Sequence, residues 1–255
     1  MLAELLELAP AGFEQVDGDG FVEFALYGAP GELPDLPHGP AVIGRAEVQV
    51  STTQVGDDWA DRWREFHKPV QVGHIYVRPP WCERLAACVD VVIDPAQAFG
   101  TGAHPTTRLS LELLLEVAPG AGAAPLPLVD LGCGSGVLAI AAAKLGFAPV
   151  TALDHDPAAI EATLDNARAN GVTLERVERY DLRNGPAPVA AVMTANLTRP
   201  LLLRVAELLP EQPETLIVSG LLEGEEEVMA AAFEPLRERR RRRLQGWSAL
   251  MLTRP

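Results

Sequence analysis

The chain has 255 residues and a hydrophobic content of 48%, enough for one large or two small domains with a sizeable core. Its 35 acidic and 21 basic residues give a formal charge of −14, which argues against broad binding to nucleic acid. We expect a cytoplasmic protein, because no apolar run reaches the about 18 residues of a membrane span, no basic leader is evident, and the three cysteines lack metal-ligand spacing.

The first 56 residues have the pattern of a small α+β unit. Residues 2–8 are helical in pattern, and the alternating segments 21–27 and 46–52 are predicted to be strands. A loop with four prolines lies between them, over residues 29–40. Two strands and one helix bury little apolar surface, so this unit must pack against something else.

A short helix over residues 57–66 forms most of a predicted linker, residues 57–70. Trp59, Trp63 and Phe66 recur at helical spacing and therefore share one face. We interpret this aromatic face as a packing surface between domains. An aromatic surface on which a substrate docks is the alternative.

The next predicted elements are two paired strands (74–78 and 88–93), a glycine-rich loop (94–107) and a helix (108–116). Thr106 or Thr107 is placed to cap or open the helix. His104 also lies in the loop. Because no second histidine or cysteine stands at metal-ligand spacing, we interpret His104 as a hydrogen-bonded loop residue and predict no metal site.

The most informative stretch runs from a buried strand into a helix. Apolar residues 128–131 predict the strand, and strong helix formers follow at 137–144. Gly132, Gly134 and Gly136 occupy the turn between them. Glycine is required there because a Cβ would block close approach of a ligand, and the first turn of the helix leaves N–H groups unpaired.

The next strand, residues 150–154, ends in Asp154. An acid about 20 residues after the first glycine is typical of a carboxylate that binds ribose hydroxyls. At this point dinucleotides and S-adenosylmethionine both remain possible ligands. The alternative without a ligand is an ordinary tight turn in which Asp154 caps the end of the strand.

Strands and helices then alternate up to residue 236, which predicts an α/β fold with a parallel sheet and ligands at the carboxyl ends of its strands. An antiparallel hairpin of residues 237–243 and 246–253 would complete a seven-stranded sheet. The arginine-rich first strand is interpreted as a solvated face, with a site for rRNA or an acidic patch as the alternative. The remaining helices are predicted over 157–170, up to 209 and over 225–236, and the remaining strands over 174–177, 189–196 and 214–220.

The glycine turn lacks the last glycine of dinucleotide-binding folds, because Val137 stands there; it resembles motif I of class I methyltransferases. Several segments together resemble one family of these enzymes, the ribosomal protein L11 methyltransferases (PrmA). The likeness covers roughly residues 57–255. The segments that carry it are residues 98–107, 130–141, 153–157, 165–171 and 195–197.

The resemblance implies a Rossmann-like class I methyltransferase domain over residues 71–255, with S-adenosylmethionine as cofactor. It implies that residues 1–56 form a substrate-recognition domain, here a reduced form of a ferredoxin-like βαββαβ unit. Asp181 would lie near the adenine. The full set of implied cofactor-binding residues is Phe99, Gly100, Thr101, Thr107, Asp130, Gly132, Gly134, Asp154, Asp181 and Asn196.

The predicted catalytic residues are Asn196 and Leu197, at the end of the fourth strand. Methyl transfer to an amine requires the reacting atoms in line and an amine without its extra proton, so a strong base is not needed. The Asn196 side-chain carbonyl and nearby backbone carbonyls are expected to accept the hydrogens of the amine. DNA is disfavoured as substrate because no Pro-Pro-aromatic sequence follows Asn196.

The resemblance predicts a protein N-methyltransferase that acts on lysine or N-terminal amines of a ribosomal protein, expected to be L11. We expect a monomer with no membrane attachment and no direct DNA binding. Two other functions remain as alternatives. One is a small-molecule amine methyltransferase, and the other is an inactive module that binds S-adenosylmethionine.

Overall fold

The computed structural model describes residues 14–18, 21–25, 38–43, 46–51, 67–95 and 102–255. The chain divides into two compact units, Met1–Trp63 and Arg64–Pro255. Three predicted features lie outside the described residues. They are the helix over 2–8, the aromatic helix over 57–66, and the implied cofactor-binding residues Phe99, Gly100 and Thr101.

The described part of the first unit consists of two antiparallel hairpins. Strand β1 (Glu14–Gly18) pairs with β2 (Phe21–Ala25), and β3 (Gly39–Ile43) pairs with β4 (Ala46–Val50). Strands β2 and β4 begin at the predicted residues, whereas β1 is not predicted. The prediction of a loop up to residue 40 is wrong at its end, because a two-stranded ribbon tolerates Pro40 where a central strand would not.

The second unit is built on a seven-stranded sheet, in the order β10-β9-β8-β11-β12-β14-β13, which confirms the predicted α/β class I methyltransferase architecture. The first five of these strands run parallel, and β14 is antiparallel to both of its neighbours. Buried aliphatic side chains fill the central strands, as a sheet covered on both faces requires. The strands are β8 (Leu128–Leu131), β9 (Val150–Asp154), β10 (Arg176–Arg179), β11 (Val192–Asn196), β12 (Thr215–Leu222), β13 (Arg237–Leu244) and β14 (Trp247–Thr253).

Within the described ranges, five helices and a small second sheet cover the two faces of the large sheet. The first face packs against α1 (Pro105–Val117), α2 (Val137–Lys144), α3 (Pro157–Ala169) and the sheet of β5 (Val70–Val72), β6 (Ile75–Arg78) and β7 (Val89–Val92). The second face packs against α4 (Arg199–Leu208) and α5 (Glu226–Ala232). Among the described residues, no helix combines the length and apolar character needed to cross a membrane.

Several predicted boundaries shift for identifiable reasons. Helix α1 begins at Pro105 with His104 as its N-cap, so the prediction that Thr106 or Thr107 caps it is wrong. Proline is favoured at the first helical position because its φ is already helical and its missing N–H costs nothing there. Helix α5 ends four residues earlier than predicted, because the residue before Pro235 disfavours the helical conformation.

The arginine-rich strand β13 lies at the edge of the sheet, and four of its arginine side chains are 26–49% exposed, which confirms the solvated face. Arg240 and Arg242 pair with Glu116 of α1, whereas Arg241 pairs with Glu227 of α5. Exposed ion pairs contribute little stability each. Charged side chains on an edge strand also prevent pairing with a strand of another molecule.

A buried carboxylate joins α5 to the terminal hairpin. Glu226 is fully buried and accepts hydrogen bonds from Ser248 Oγ at 2.8 Å, Arg243 Nε at 2.7 Å and the Gly224 amide at 2.6 Å. Burial alone would raise the pKa of Glu226. Hydrogen bonds from backbone amides, Ser248 and Arg243 outweigh it and lower the pKa to about 2.

Replacing this carboxylate is expected to destabilise the protein in a pH-dependent way. Glu226→Gln removes the charge and one acceptor while keeping the shape, and should lower the free energy of unfolding at pH 7 by about 1–3 kcal/mol. Because folding lowers this pKa, the wild-type advantage is complete above the unfolded pKa of 4.5 and decreases as the pH falls towards 2. Urea unfolding at pH 7 and pH 3 measures both effects, with the exposed Glu227→Gln as control. Equal losses at the two pH values would contradict the assignment.

Candidate active site

The order of the large sheet creates a crevice at the carboxyl ends of β8 and β11. From β8 the chain proceeds outward through β9 and β10, and it then crosses back to β11 on the other side of β8. The loops after β8 and β11 therefore lead away from each other, and in open α/β sheets ligands bind at such a switch point. The glycine turn follows β8, and Asn196 is the last residue of β11.

The glycine turn has the backbone shape that the sequence predicts. Gly132, Gly134 and Gly136 have φ values of +70°, +54° and +80°, in the left-handed region that favours glycine. The amide of Gly132 donates to the Leu153 carbonyl at 2.8 Å, and that of Gly134 donates to Asp154 Oδ2 at 3.0 Å. These two amides are therefore occupied within the protein, so both glycines shape the crevice rather than donate to a ligand.

Asp154 ends β9 beside this turn and is 9% exposed. Besides the bond to Gly134, its Oδ1 accepts from the Asp156 amide at 3.0 Å and lies 3.2 Å from His155 Nδ1. A carboxylate offers about four lone-pair positions, so it can still accept from ligand hydroxyls. Asp154 thus holds the turn in place and also presents an acceptor at the ligand-binding edge.

Asp130 lies on the preceding strand and is buried, with 1% exposure. Its Oδ1 accepts from Thr194 Oγ1 at 2.6 Å, and the Ala139 backbone amide also donates towards this carboxylate. Burial raises the pKa of Asp130 to about 7, in spite of the hydrogen bonds from Thr194 and from the Ala139 backbone, which lower it. A buried carboxylate in this state favours a nearby cation, because a positive charge restores its ionised form.

Helix α3 supports the glycine turn through two side chains that the sequence analysis does not single out. Thr163 Oγ1 donates to the Gly134 carbonyl at 2.9 Å, and Asn166 Nδ2 donates to the Ser135 carbonyl at 2.9 Å. Asn166 Oδ1 accepts from the Asp94 amide at 3.0 Å. Asn166 therefore joins the glycine turn to the chain that leads from β7 towards α1.

Asn196 and Thr107 meet across the crevice. The Asn196 side chain is half-buried, and its Nδ2 donates to Oγ1 of the fully buried Thr107 at 3.5 Å. This bond places the amide nitrogen towards α1 and turns the carbonyl oxygen of the same amide away from it. The adjacent Leu197 donates its N–H to the Ser219 carbonyl at 3.2 Å.

Asp181 follows β10 at the same edge of the sheet. Arg183 donates to it from Nε, Nη2 and its backbone amide, and Asn184 donates from Nδ2. The hydrogen bonds from Arg183 lower the pKa of Asp181 to about 2. Its carboxylate thus organises its own loop.

His104 is a hydrogen-bonded residue, as the sequence predicts. Its Nδ1 lies 2.8 Å from Thr106 Oγ1, and its ring meets that of Trp247 edge-on with centroids 5.0 Å apart. Burial lowers the pKa of His104. Over the described part of the chain, no three His, Cys, Asp or Glu side chains form a group that could hold a metal ion.

Comparison with known protein sequences identifies the family of this chain. The model of the family described as ribosomal protein L11 methyltransferase (PrmA) matches residues 39–255. The chain belongs to this family. Its ribosomal protein L11 methyltransferase relative from Citrifermentans bemidjiense is 37% identical over 227 residues, which cover 85% of this chain and 74% of the relative. The one from Edwardsiella ictaluri is 41% identical over 208 residues, 79% of this chain and 69% of the relative.

Solved structures show the same fold in another member of the family. The crystal structure of the ribosomal protein L11 methylase from Lactobacillus delbrueckii subsp. bulgaricus superposes with a TM-score of 0.63 at 25% identity, covering 74% of this chain and 99% of that chain. A Pyrococcus abyssi tRNA (uracil-54, C5)-methyltransferase in complex with S-adenosyl-L-homocysteine has a TM-score of 0.53 at 18% identity, covering 73% of this chain and 44% of that chain; it shares the fold alone.

Of the predicted site residues that the structure describes, most lie at one edge of the sheet in this family member. Asp130 lies below that edge, and Asp181 flanks it with its carboxylate already hydrogen-bonded. Thr194 and Ser219 could have been found as polar residues within apolar strands. Thr163 and Asn166 are buried in α3, where polar neighbours leave no pattern that distinguishes them.

Proposed function

We propose that this protein transfers methyl groups from S-adenosylmethionine to lysine or N-terminal amines of ribosomal protein L11. The observation that carries the proposal is the Asn196 amide at the switch point, held by Thr107 beside the glycine turn. Membership of the L11 methyltransferase family supports the substrate. A ribosomal substrate in turn supports a cytoplasmic location.

The residues around the crevice fit this cofactor, which supplies a methyl group bound to a positively charged sulfur. Asp130 supplies a buried carboxylate whose pKa burial raises to about 7, and Asp154 adds a second acid at the ribose-binding position. Both acids suit a cationic ligand with vicinal hydroxyls. We assign Gly132, Gly134, Thr107 and Asn196 to the same site, with Phe99, Gly100, Thr101 and Asp181 as further proposed contacts.

The acceptor amine has to be neutral and aligned, and the chain provides for both. Leu197 places an apolar side chain next to Asn196, and an apolar surrounding lowers the pKa of an entering ammonium group. The bond from Asn196 Nδ2 to Thr107 leaves the amide oxygen to accept a hydrogen of the amine. Alignment of this kind accounts for a large part of catalysis when the enzyme has little covalent chemistry to perform.

We assign recognition of the protein substrate to residues 1–56. In support, Met1–Trp63 forms a compact unit separate from the one that carries the crevice. The family match begins at residue 39, so most of this unit lies outside the matched range. Contacts far from the reacting atoms contribute to positioning them, so such a unit would favour a whole protein over a short peptide.

Transfer of a radiolabelled methyl group tests this function. The full chain is incubated with S-adenosylmethionine labelled in its methyl group and, in parallel, with purified ribosomal protein L11, with a lysine-containing peptide at equal concentration, and with a ribosomal extract. We expect label on L11, less on the peptide, and methylated amines by mass spectrometry of the product. Label on a small molecule alone would contradict the proposal, as would binding of S-adenosylmethionine without any transfer.

A further inference from the structure

Leu197 lies between two glycines that come from opposite sides of the crevice. A Cβ at Gly132 of the glycine turn would lie 2.2 Å from Leu197 Cδ2. A Cβ at Gly220 of β12 would lie 2.1 Å from the Leu197 carbonyl oxygen. Both distances are far below any real contact of a Cβ, so only glycine at these two positions admits Leu197 as it stands.

The Gly220 side of this contact is built into an irregularity of the sheet. The register of β12 against β14 shifts between Ser219 and Leu221, and Gly220 there has a φ of +88°. The preceding Ser219 accepts the Leu197 N–H at 3.2 Å through its carbonyl. The peptide groups on both sides of Leu197 are thus held by one bulge, through a hydrogen bond and through close packing.

The same bulge also contacts the residue that precedes Thr107, the partner of Asn196. Ser219 is fully buried, and its Oγ donates to the Thr106 carbonyl at 3.1 Å. Thr106 precedes Thr107, which accepts from Asn196. The bulge therefore contacts both the Asn196–Leu197 segment and the first turn of α1.

We propose that Gly220 is a positioning residue for methyl transfer, which sets the Asn196–Leu197 segment against the glycine turn. The inference rests on the function proposed for Asn196. A Cβ at position 220 would displace the Leu197 peptide by about 1 Å, and a misplacement of that size costs about 100-fold in rate. Glycine is therefore required at position 132 to make room for Leu197 as well as for a ligand.

Gly224 provides a matched control four residues further along the chain, on the connection between β12 and α5. Its φ is +95°, close to that of Gly220, but a Cβ there would meet nothing within 4 Å. Alanine at either position strains the backbone, whereas only Gly220→Ala collides with Leu197. We expect Gly220→Ala to lower kcat by about 10–100-fold with the dissociation constant for S-adenosylmethionine changed less than about threefold. Gly224→Ala should keep kcat within about twofold of wild type.

Combining each glycine variant with Leu197→Ala distinguishes a collision with a side chain from a collision with the backbone. Gly132 would collide with the tip of the Leu197 side chain, so Leu197→Ala should restore part of the kcat lost in Gly132→Ala. Gly220 would collide with a backbone oxygen, so Leu197→Ala should restore nothing to Gly220→Ala. If Gly220→Ala does not fold, as judged by circular dichroism and thermal unfolding, the placement of Leu197 is tested by the kcat of Gly132→Ala with and without Leu197→Ala.

Amide hydrogen exchange of Leu197 tests the positioning without any assay of activity. Exchange should be faster in Gly220→Ala than in wild type and Gly224→Ala, because the bond to Ser219 is displaced. Equal kcat and equal exchange for the two glycine variants would overturn the inference, and so would rescue of both collisions by Leu197→Ala. If the wild-type protein methylates no amine but Leu197 still exchanges faster in Gly220→Ala than in the other two proteins, only the proposed function is refuted.

Discussion

Asn196→Ala is expected to lower kcat for methylation of ribosomal protein L11 by about 100-fold, since it removes the group that orients the amine. The dissociation constant for S-adenosylmethionine should rise far less. The amide nitrogen is already bound to Thr107, so the carbonyl oxygen is the part of the side chain left to accept from the amine. An interaction that matures in the transition state affects kcat more than binding.

Asn196→Asp is the matched variant, because it keeps an oxygen acceptor while losing the donor to Thr107. It should retain more activity than the alanine variant. Single-turnover kinetics with L11, combined with calorimetric titration of S-adenosylmethionine, separates the two effects. A kcat for Asn196→Ala within about threefold of wild type would remove this residue from the catalytic assignment.

Asp154→Ala is expected to weaken binding of S-adenosylmethionine by about 1–3 kcal/mol, or roughly 5–150-fold. Two losses contribute to this value. The ribose hydroxyls lose their proposed acceptor, and the Gly134 amide loses the carboxylate oxygen at 3.0 Å that holds the glycine turn. Calorimetric titration measures the affinity directly.

Asp156→Ala is the control for this experiment, because Asp156 caps α3 by accepting from the Ala158 amide at 2.9 Å. It should lower the free energy of unfolding by about 0.5–2 kcal/mol and leave affinity nearly unchanged. If both variants reduced affinity equally, the effect would come from loss of α3 rather than from the ribose site. Unchanged affinity in Asp154→Ala would contradict the assignment outright.

The architecture of the large unit follows from local sequence patterns. Apolar runs, helix formers between them, and glycine or proline at the boundaries predict the central strands and the helices of the second half. Asp154 and Asn196 could be predicted for the same reason, because each ends a buried strand of a parallel sheet. The boundaries were less accurate: β10 lies two residues further along than predicted, since its register depends on pairing with β9.

The roles of several residues could not be predicted in this way, because they arise from contacts between distant segments. Ser219 reads as a polar residue in a strand, and only the fold shows it bonded to Thr106, more than 100 residues earlier. Asp181 is predicted to lie near the adenine, and only the fold shows that Arg183 and Asn184 also engage its carboxylate. A sequence pattern indicates that a carboxylate is present and does not indicate which donors reach it.

By itself, the sequence determined the α/β class, the glycine turn and the acid that follows it, since these depend on residues close together in the chain. Tertiary structure alone decided what each glycine accommodates. Gly132 and Gly220 are 88 positions apart in the chain. Leu197 nevertheless occupies the space that a side chain would need at both, with its own side chain at Gly132 and its carbonyl oxygen at Gly220. Such close approach depends on how β8, β11 and β12 are ordered in the sheet, which chain-local patterns do not specify.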